Sequence, residues 1–242
     1  MSDWHKGMIC AFDVESTGVD VENDRIVTAC VALVDGSGKE EPDVKEWLAW
    51  PGMDIPEEAA KVHGITTAHA REHGEPAPEV IDEVATWLIR AAGDLIPIVA
   101  FNACYDLTML DRDSRRNGLG PFGPAFEEAR GLVIDPLVMD KALDPYRKGK
   151  RTLSDVAAHY GVRQDTAHSA SGDAVTAARV AWAIASRKPH VAAMTATELM
   201  SWQAAERRKQ ARSYADYLRR QGTPKVIDES WPWTPLAEQA VA

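Results

Sequence analysis

The 242-residue chain is poor in cysteine, in long apolar runs and in positive charge, and each shortage closes off a class of protein. Its three cysteines, Cys10, Cys30 and Cys104, are odd in number and lack metal-ligand spacing, so neither a disulfide framework nor a cysteine-based zinc site is expected. No apolar run approaches the roughly 18 residues that span a membrane. The opening MSDWHKGMIC has no long apolar stretch ahead of a cleavage site. The expectation is a cytoplasmic protein with reduced thiols and no membrane partner. There is no internal repeat and no low-complexity tract. Lys and Arg (27) are outnumbered by Asp and Glu (37), for a net charge of −10. That balance speaks against a protein that coats a nucleic-acid duplex. It does not speak against one that touches a single strand end, because a carboxylate-rich site turns electropositive once loaded with divalent cations.

What is present suits a sizeable core, with 45% apolar and 26% charged residues. Residues 8–14 (MICAFDV) read as a buried strand ending in an acid, and residues 25–34 (RIVTACVALV), rich in β-branched side chains, as a second strand. DGSGKEEPD is a turn or loop, and residues 44–50 close a three-strand meander. From Pro56 the period becomes helical, with PEEAAKVHG stopped by Gly64 and then apolar positions 80, 81, 84, 85, 88 and 89 within residues 79–92. Residues 97–101 (PIVAF) and 132–134 read as short strands, and helices are expected at 105–116, 136–144, 152–160 and 172–187. The fold class is therefore α/β, with a mixed central sheet in which a three-strand antiparallel meander is joined by parallel strands and flanked by helices. The expected division is one domain over residues 8–190 and a C-terminal helix with an irregular tail over 191–242.

Three short blocks carry chemistry. In FDVESTG, residues 12–18, the period of two in a strand puts Asp13 and Glu15 on one face. Two adjacent like charges in an apolar segment are costly unless a cation joins them. Ser16, Thr17 and Gly18 then offer hydroxyls and a flexible backbone. The plainer reading is a polar strand end entering a turn. In VAFNACYDLTMLDRD, residues 99–113, Asp106 opens a helix, where an acid is also favoured by the helix dipole alone. In HSASGDAVTAARVAWAI, residues 168–184, His168 precedes Asp173 by five residues, and Asp173 opens an alanine-rich amphipathic helix. Each of these, taken singly, is more at home as an exposed histidine or a helix-start acid than as a functional group.

Taken in order, the blocks D-x-E-[ST]-T-G, N-A-x-[FY]-D and H-x-A-x-x-D-A resemble the DEDDh 3′→5′ exonuclease superfamily, whose best-known member is the proofreading epsilon subunit of bacterial DNA polymerase III. IPEEAAKVHGIT (55–66) is similar to that family's P-x-x-A-x-x-V-H-G-I-T, and RTLSDVAAHYGV (151–162) to its T-L-x-x-L-A-x-x-Y-G-V. The resemblance runs from about residue 8 to residue 187. One departure is Phe101, where the family often has His before the Asn. The C-terminal helix is more similar to standalone exonuclease-like proteins of actinobacteria and their phages than to a polymerase-binding tail, and no sliding-clamp pentapeptide is evident.

The resemblance implies a ribonuclease-H-like fold and a hydrolase that releases nucleoside monophosphates from a nucleic-acid 3′ end with two divalent cations, Mg²⁺ or Mn²⁺. It implies that Asp13, Glu15 and Asp173 hold one cation, that Asp13 bridges to the second, which Asp106 contacts through water, and that His168 accepts the proton from the attacking water. Thr17, Gly18, His63 and Asn102 are the candidates for holding the terminal nucleotide. His63 has the plainer reading of a helix-end cap, and Tyr105 reads equally as a base-stacking ring or a core tyrosine. The expected substrate is single-stranded or frayed DNA, in a proofreading or repair-like role, with association to a polymerase an open possibility. An RNA-trimming enzyme of the same superfamily fits the same blocks. A non-catalytic accessory module of a replication complex has no reason to crowd four carboxylates, and an RNase H-type endonuclease lacks the His168-to-Asp173 and VHGIT signatures. Residues 195–221 form one helical pattern with six Lys/Arg against three acids. Arg207, Arg208, Lys209, Arg212, Arg219 and Arg220 read either as a backbone-tracking face or, the favoured reading, as the solvated side of a helix packed through Leu199, Trp202, Tyr214 and Leu218.

Overall fold

Strand β1 (Met8–Ser16) is the axis of the fold. It pairs antiparallel with β2 (Ile26–Asp35), which pairs antiparallel with β3 (Asp43–Trp50). The structure, a computed structural model, describes residues 3–164 and 169–236. After the meander come α1 (Glu57–His63), α2 (Thr67–His73), β4 (Glu75–Pro76), α3 (Ala77–Gly93), β5 (Ile98–Val99), α4 (Ala103–Arg116), α5 (Phe122–Glu128), β6 (Val133–Ile134), α6 (Pro136–Leu143), α7 (Leu153–His159), α8 (Ala170–Arg187), α9 (Pro189–Ala192) and α10 (Ala196–Arg220). The sheet order is β4-β3-β2-β1-β5-β6, with β5 and β6 parallel to β1. A mixed sheet of an antiparallel meander plus parallel strands is what the strand pattern leads one to expect.

The period of two along β1 sorts its side chains into two cores. Ile9 and Ala11 face α6, α7 and α8, while Cys10, Phe12 and Val14 face α3, α4 and α5. Alanines of α8 (Ala174, Ala177, Ala178, Ala181, Ala185) are buried against the sheet, and their small side chains let that helix lie close to β1 and β2. Burial lifts the Cys10 thiol to about 12, so this cysteine serves as an apolar core residue, and all three cysteines are free. Among the described residues no helix is long and apolar enough to cross a membrane.

Several elements depart from the sequence pattern. Residues 67–73 form a helix capped by Thr66, whose hydroxyl accepts from the His69 amide, although Ala70 is their one buried residue and no apolar period announces them. Residues 122–128 (FGPAFEE) are helical despite Gly and Pro, held by stacked Phe122 and Phe126 and by the Asp111 carboxylate, which accepts the Gly123 amide at 3.0 Å. Residues 75–76 add a small parallel strand at the β3 edge. The strand over 97–101 shrinks to Ile98–Val99, and α4 begins two residues before Tyr105.

α10 is tied to the body by one fully buried polar residue. Gln203 accepts from the Asp135 amide at 2.7 Å and donates to the Val133 carbonyl at 3.0 Å. Gln203→Leu leaves both backbone groups buried without a partner, each costing about 1–3 kcal/mol. We expect urea unfolding to show a loss of about 2–4 kcal/mol. A loss below about 0.5 kcal/mol would show that the side chain is not so engaged in solution.

Candidate functional site

The site grows from a geometrical accident of the sheet. β1 pairs with β5 only at Cys10 and Ala11, so Asp13 to Ser16 run beyond the last strand on that side. The Val14 amide, left without a strand partner there, donates to the Asp106 carboxylate at 3.2 Å. Asp106, 3% exposed, thus plugs the gap beside β1. Its helix α4 starts at Asn102, whose φ of 69° and ψ of 43° make the sharp turn from β5 into the helix. Asp135 holds that turn, accepting the Asn102 and Ala103 amides at 3.1 Å each while also capping α6 at Leu137.

Asp13 and Glu15 continue the face of β1 that begins with Ile9 and Ala11, the face covered by α8. Asp173 lies four residues past the Ser169 cap of α8, as Asp106 lies four past the Asn102 start of α4. Both acids therefore sit in the first turn, where helix dipoles favour negative charge. Asp173 also accepts a hydrogen bond from the Gln164 amide side chain at 3.0 Å.

The four carboxylates meet at Asp13. Burial first, then repulsion from Asp106, Glu15 and Asp173, holds the Asp13 carboxyl well above the usual carboxylate range. Burial does the same to Asp106, opposed by hydrogen bonds from the Val14 amide and its own amide and reinforced by Asp135 and Glu15. Among the described residues no group of three or more His, Cys, Asp or Glu side chains is placed to hold a metal ion. An all-oxygen set of mutually repelling carboxylates, Asp106 buried and Asp13, Glu15 and Asp173 half-buried, nevertheless suits a hard divalent cation, which would convert their repulsion into attraction.

The other candidates distribute unevenly. Thr17 is buried, and its hydroxyl is committed, donating to Asp24 at 2.8 Å and accepting from the Arg25 amide at 3.0 Å. A Cβ on Gly18 would stand 2.5 Å from the Asp24 carboxylate, so that glycine makes room for Asp24. His63 caps the end of α1, its Nδ1 accepting from the Ile65 amide at 3.1 Å. The same ring lies against the backbone of Ser16, and burial lowers its pKa. Asn102 is exposed at the start of α4. Tyr105 is a bridge: its hydroxyl meets Ser16 and donates to the Gly18 carbonyl at 2.8 Å, and burial raises its pKa to about 12. Phe101 is half-buried against the α8-side core. His168 lies outside the described residues. The site rests on three residues that its motifs do not announce: Asp24, Asp135 and Gln164. Of these, Asp135 has a local sign, an acid directly before Pro136 at a helix start.

A family model described as Exonuclease matches residues 10–181. The PolC-type DNA polymerase III of Staphylococcus haemolyticus is 31% identical over 179 residues, covering 74% of this chain and 11% of the polymerase. That of Listeria innocua is 28% identical over 173 residues, covering 72% and 11%. The chain therefore spans about a tenth of the length of these relatives. Among solved structures, the zinc-bound form of an Escherichia coli exonuclease I complex with single-stranded DNA matches with a TM-score of 0.64 at 17% identity, over 87% of this chain and 45% of that one. At that identity the likeness is one of fold, and the fold is ribonuclease-H-like.

Because Asp13 is destabilised as an anion, Asp13→Asn is expected to raise the stability of the protein in EDTA by at least about 1 kcal/mol at pH 7. A raised folded-state pKa means that the penalty is absent below the unfolded-state value near 4, grows as pH rises from there towards the folded-state value, and is constant above it. The gain should therefore disappear in acid. A variant less stable than wild type at pH 7 would contradict the crowding.

Proposed function

The chain belongs to the exonuclease family, and on that premise we propose that it is a 3′→5′ exonuclease that hydrolyses DNA from the 3′ end and releases nucleoside monophosphates. The observation that carries the reading is the convergence of Asp106, Glu15 and Asp173 on Asp13. DNA is favoured over RNA because the curated relatives are DNA polymerases, in which the matched region is a small part of the whole.

Asp13, Glu15, Asp106 and Asp173 are the residues that would hold two divalent cations, Mg²⁺ or Mn²⁺. Bound there, such ions lower the cost of deprotonating water and of placing charge on the phosphoryl oxygens. The chain's own residues do the rest. Asp106, anchored by the Val14 amide, keeps the β1 acids and the α4 start in fixed relation. Gln164 orients the Asp173 carboxylate by holding one of its oxygens. His63 and Asn102 frame the place of the terminal nucleotide, while Thr17 and Gly18 shape the turn beside it through Asp24. His168 accepts the proton of the attacking water, a task that its reference pKa near 6.5 suits at neutral pH.

Ligand and base separate experimentally. Mn²⁺ is expected to raise the melting temperature of the wild type and of His168→Ala alike, and that of Asp13→Ala much less. His168→Ala should shorten DNA about 10²–10⁴-fold more slowly, and Asp13→Ala should not cut. Equal Mn²⁺ shifts in wild type and Asp13→Ala would place the metal elsewhere, and a wild-type rate in His168→Ala at pH 7 would remove that residue as the base.

A further inference from the structure

The C-terminal helix is two different objects along its length. Its first half belongs to the body: Leu199 and Gln203 are fully buried, and Trp202 packs on the α8-side core. The expectation that Tyr214 continues this packed face is not met, while Leu218 is half-buried. After Ala211, which is buried, every residue from Arg212 to Val226 except Ala215 and Leu218 is exposed. Tyr214 is 52% and Tyr217 50% exposed, their rings stacked on each other at 6.4 Å.

The direction of this free half follows from what the packed half touches. Met200 lies at the Val133 amide, Gln203 at the Val133 carbonyl and the Asp135 amide, and Gln210 donates to the Val138 carbonyl at 3.0 Å. The helix thus runs along β6 in the direction of that strand and past the first turn of α6. Strands β6, β5 and β1 are parallel, so α10 leaves the body at the end of the sheet where Asp13 and Glu15 stand. Residues 211–220 extend about 15 Å at 1.5 Å per residue. Asp135 joins the two regions directly, bonded to Gln203 on one side and to the Asn102 turn on the other.

Charge is concentrated on this projection. Residues 207–225 hold seven Lys or Arg and a single acid, Asp216, in a chain of net charge −10. Arg212 is paired with Glu229 and Arg219 with Asp216, whereas Arg220 and Lys225 make no ion pair among the described residues. A basic, tyrosine-bearing arm on an otherwise acidic protein, leaving the body at the end of the sheet that carries the acids, matches the chemistry of a polyanionic strand with stackable bases.

We propose that residues 211–226 form an arm that binds the phosphodiester backbone of the strand whose 3′ end lies at the four acids, several nucleotides upstream of the cut. The proposal rests on the exonuclease reading above for its occupant. The arm supplies affinity for long strands and takes no part in the chemistry at the acids.

The test uses the full chain, a 5′-fluorescein 30-nucleotide oligothymidylate in EDTA, and Arg219→Ala/Arg220→Ala/Lys225→Ala. Binding at about 100 mM salt should weaken at least tenfold, and the log–log salt slope should become shallower by about 2, the amount for three lost contacts to a single strand. A four-nucleotide oligomer should bind both proteins equally. Tyr214→Ala/Tyr217→Ala should weaken the long oligomer several-fold with the slope unchanged. With Mn²⁺, hydrolysis of the p-nitrophenyl ester of thymidine 5′-monophosphate and the melting temperature should be the same in all three proteins. Unaltered affinity and slope in the triple variant overturn the proposal. So does a concentration-dependent dimer, by sedimentation, that the variant abolishes, since the occupant is then a second copy. Arm-dependent binding with no hydrolysis of ester or strand by the wild type keeps the arm and removes the exonuclease reading.

Discussion

Everything in this fold leads to the repulsion between crowded, partly buried carboxylates at the end of β1. Asp13 stands among Asp106, Glu15 and Asp173 in a place where burial alone disfavours its charge. A protein gains no stability from such a cluster, so the surrounding structure must hold it together against its own electrostatics. Three supports do so. The ladder of β1 with β2 fixes Asp13 and Glu15. The close alanine packing of α8 brings Asp173 against β1. The orphan amide of Val14 draws in Asp106. Two helix starts, each with its acid in the first turn, supply partial positive charge from the backbone.

The outer supports link the acids to the remainder of the chain. Asp135 ties the start of α4 to the start of α6, and Gln203 ties Asp135 to α10. The segment after α10 returns to the other side of α4, where the Thr234 amide donates to the Thr108 hydroxyl at 2.9 Å and Arg112 donates to the Thr234 carbonyl at 3.1 Å. Trp233 closes this return by meeting Phe126 edge-on. The helix bearing Asp106 is thus gripped at its start by Asp135 and along its length by residues from the far end of the chain.

Much of this was legible in the sequence because the signals are local. Alternation along residues 8–15 announces both the strand and the shared face of Asp13 and Glu15, and the apolar period of residues 79–92 announces α3. What was not legible depends on distant partners. Residues 67–73 and 122–128 lack an apolar period, and the second of these is helical because Asp111 and the Phe pair make it so. Gln203 meets Asp135 across 68 residues, a bond with no local trace. Thr17 and Gly18 read as contacts for a substrate, yet both are shaped by Asp24, seven and six residues on. The amphipathic period of α10 is real, but a helix needs something to pack against, and from Arg212 onward the body has ended.

In the proposed function these four acids serve hydrolysis at a strand's 3′ end. The most direct measurement is a time course on single-stranded DNA of one sequence carrying its label either at the 5′ or at the 3′ terminus, with Mn²⁺ or Mg²⁺ present. A descending one-nucleotide ladder from the 5′-labelled strand and immediate release of the 3′ label as a mononucleotide are expected. Early release of the 5′ label as a mononucleotide, or internal fragments from both strands, would contradict that function.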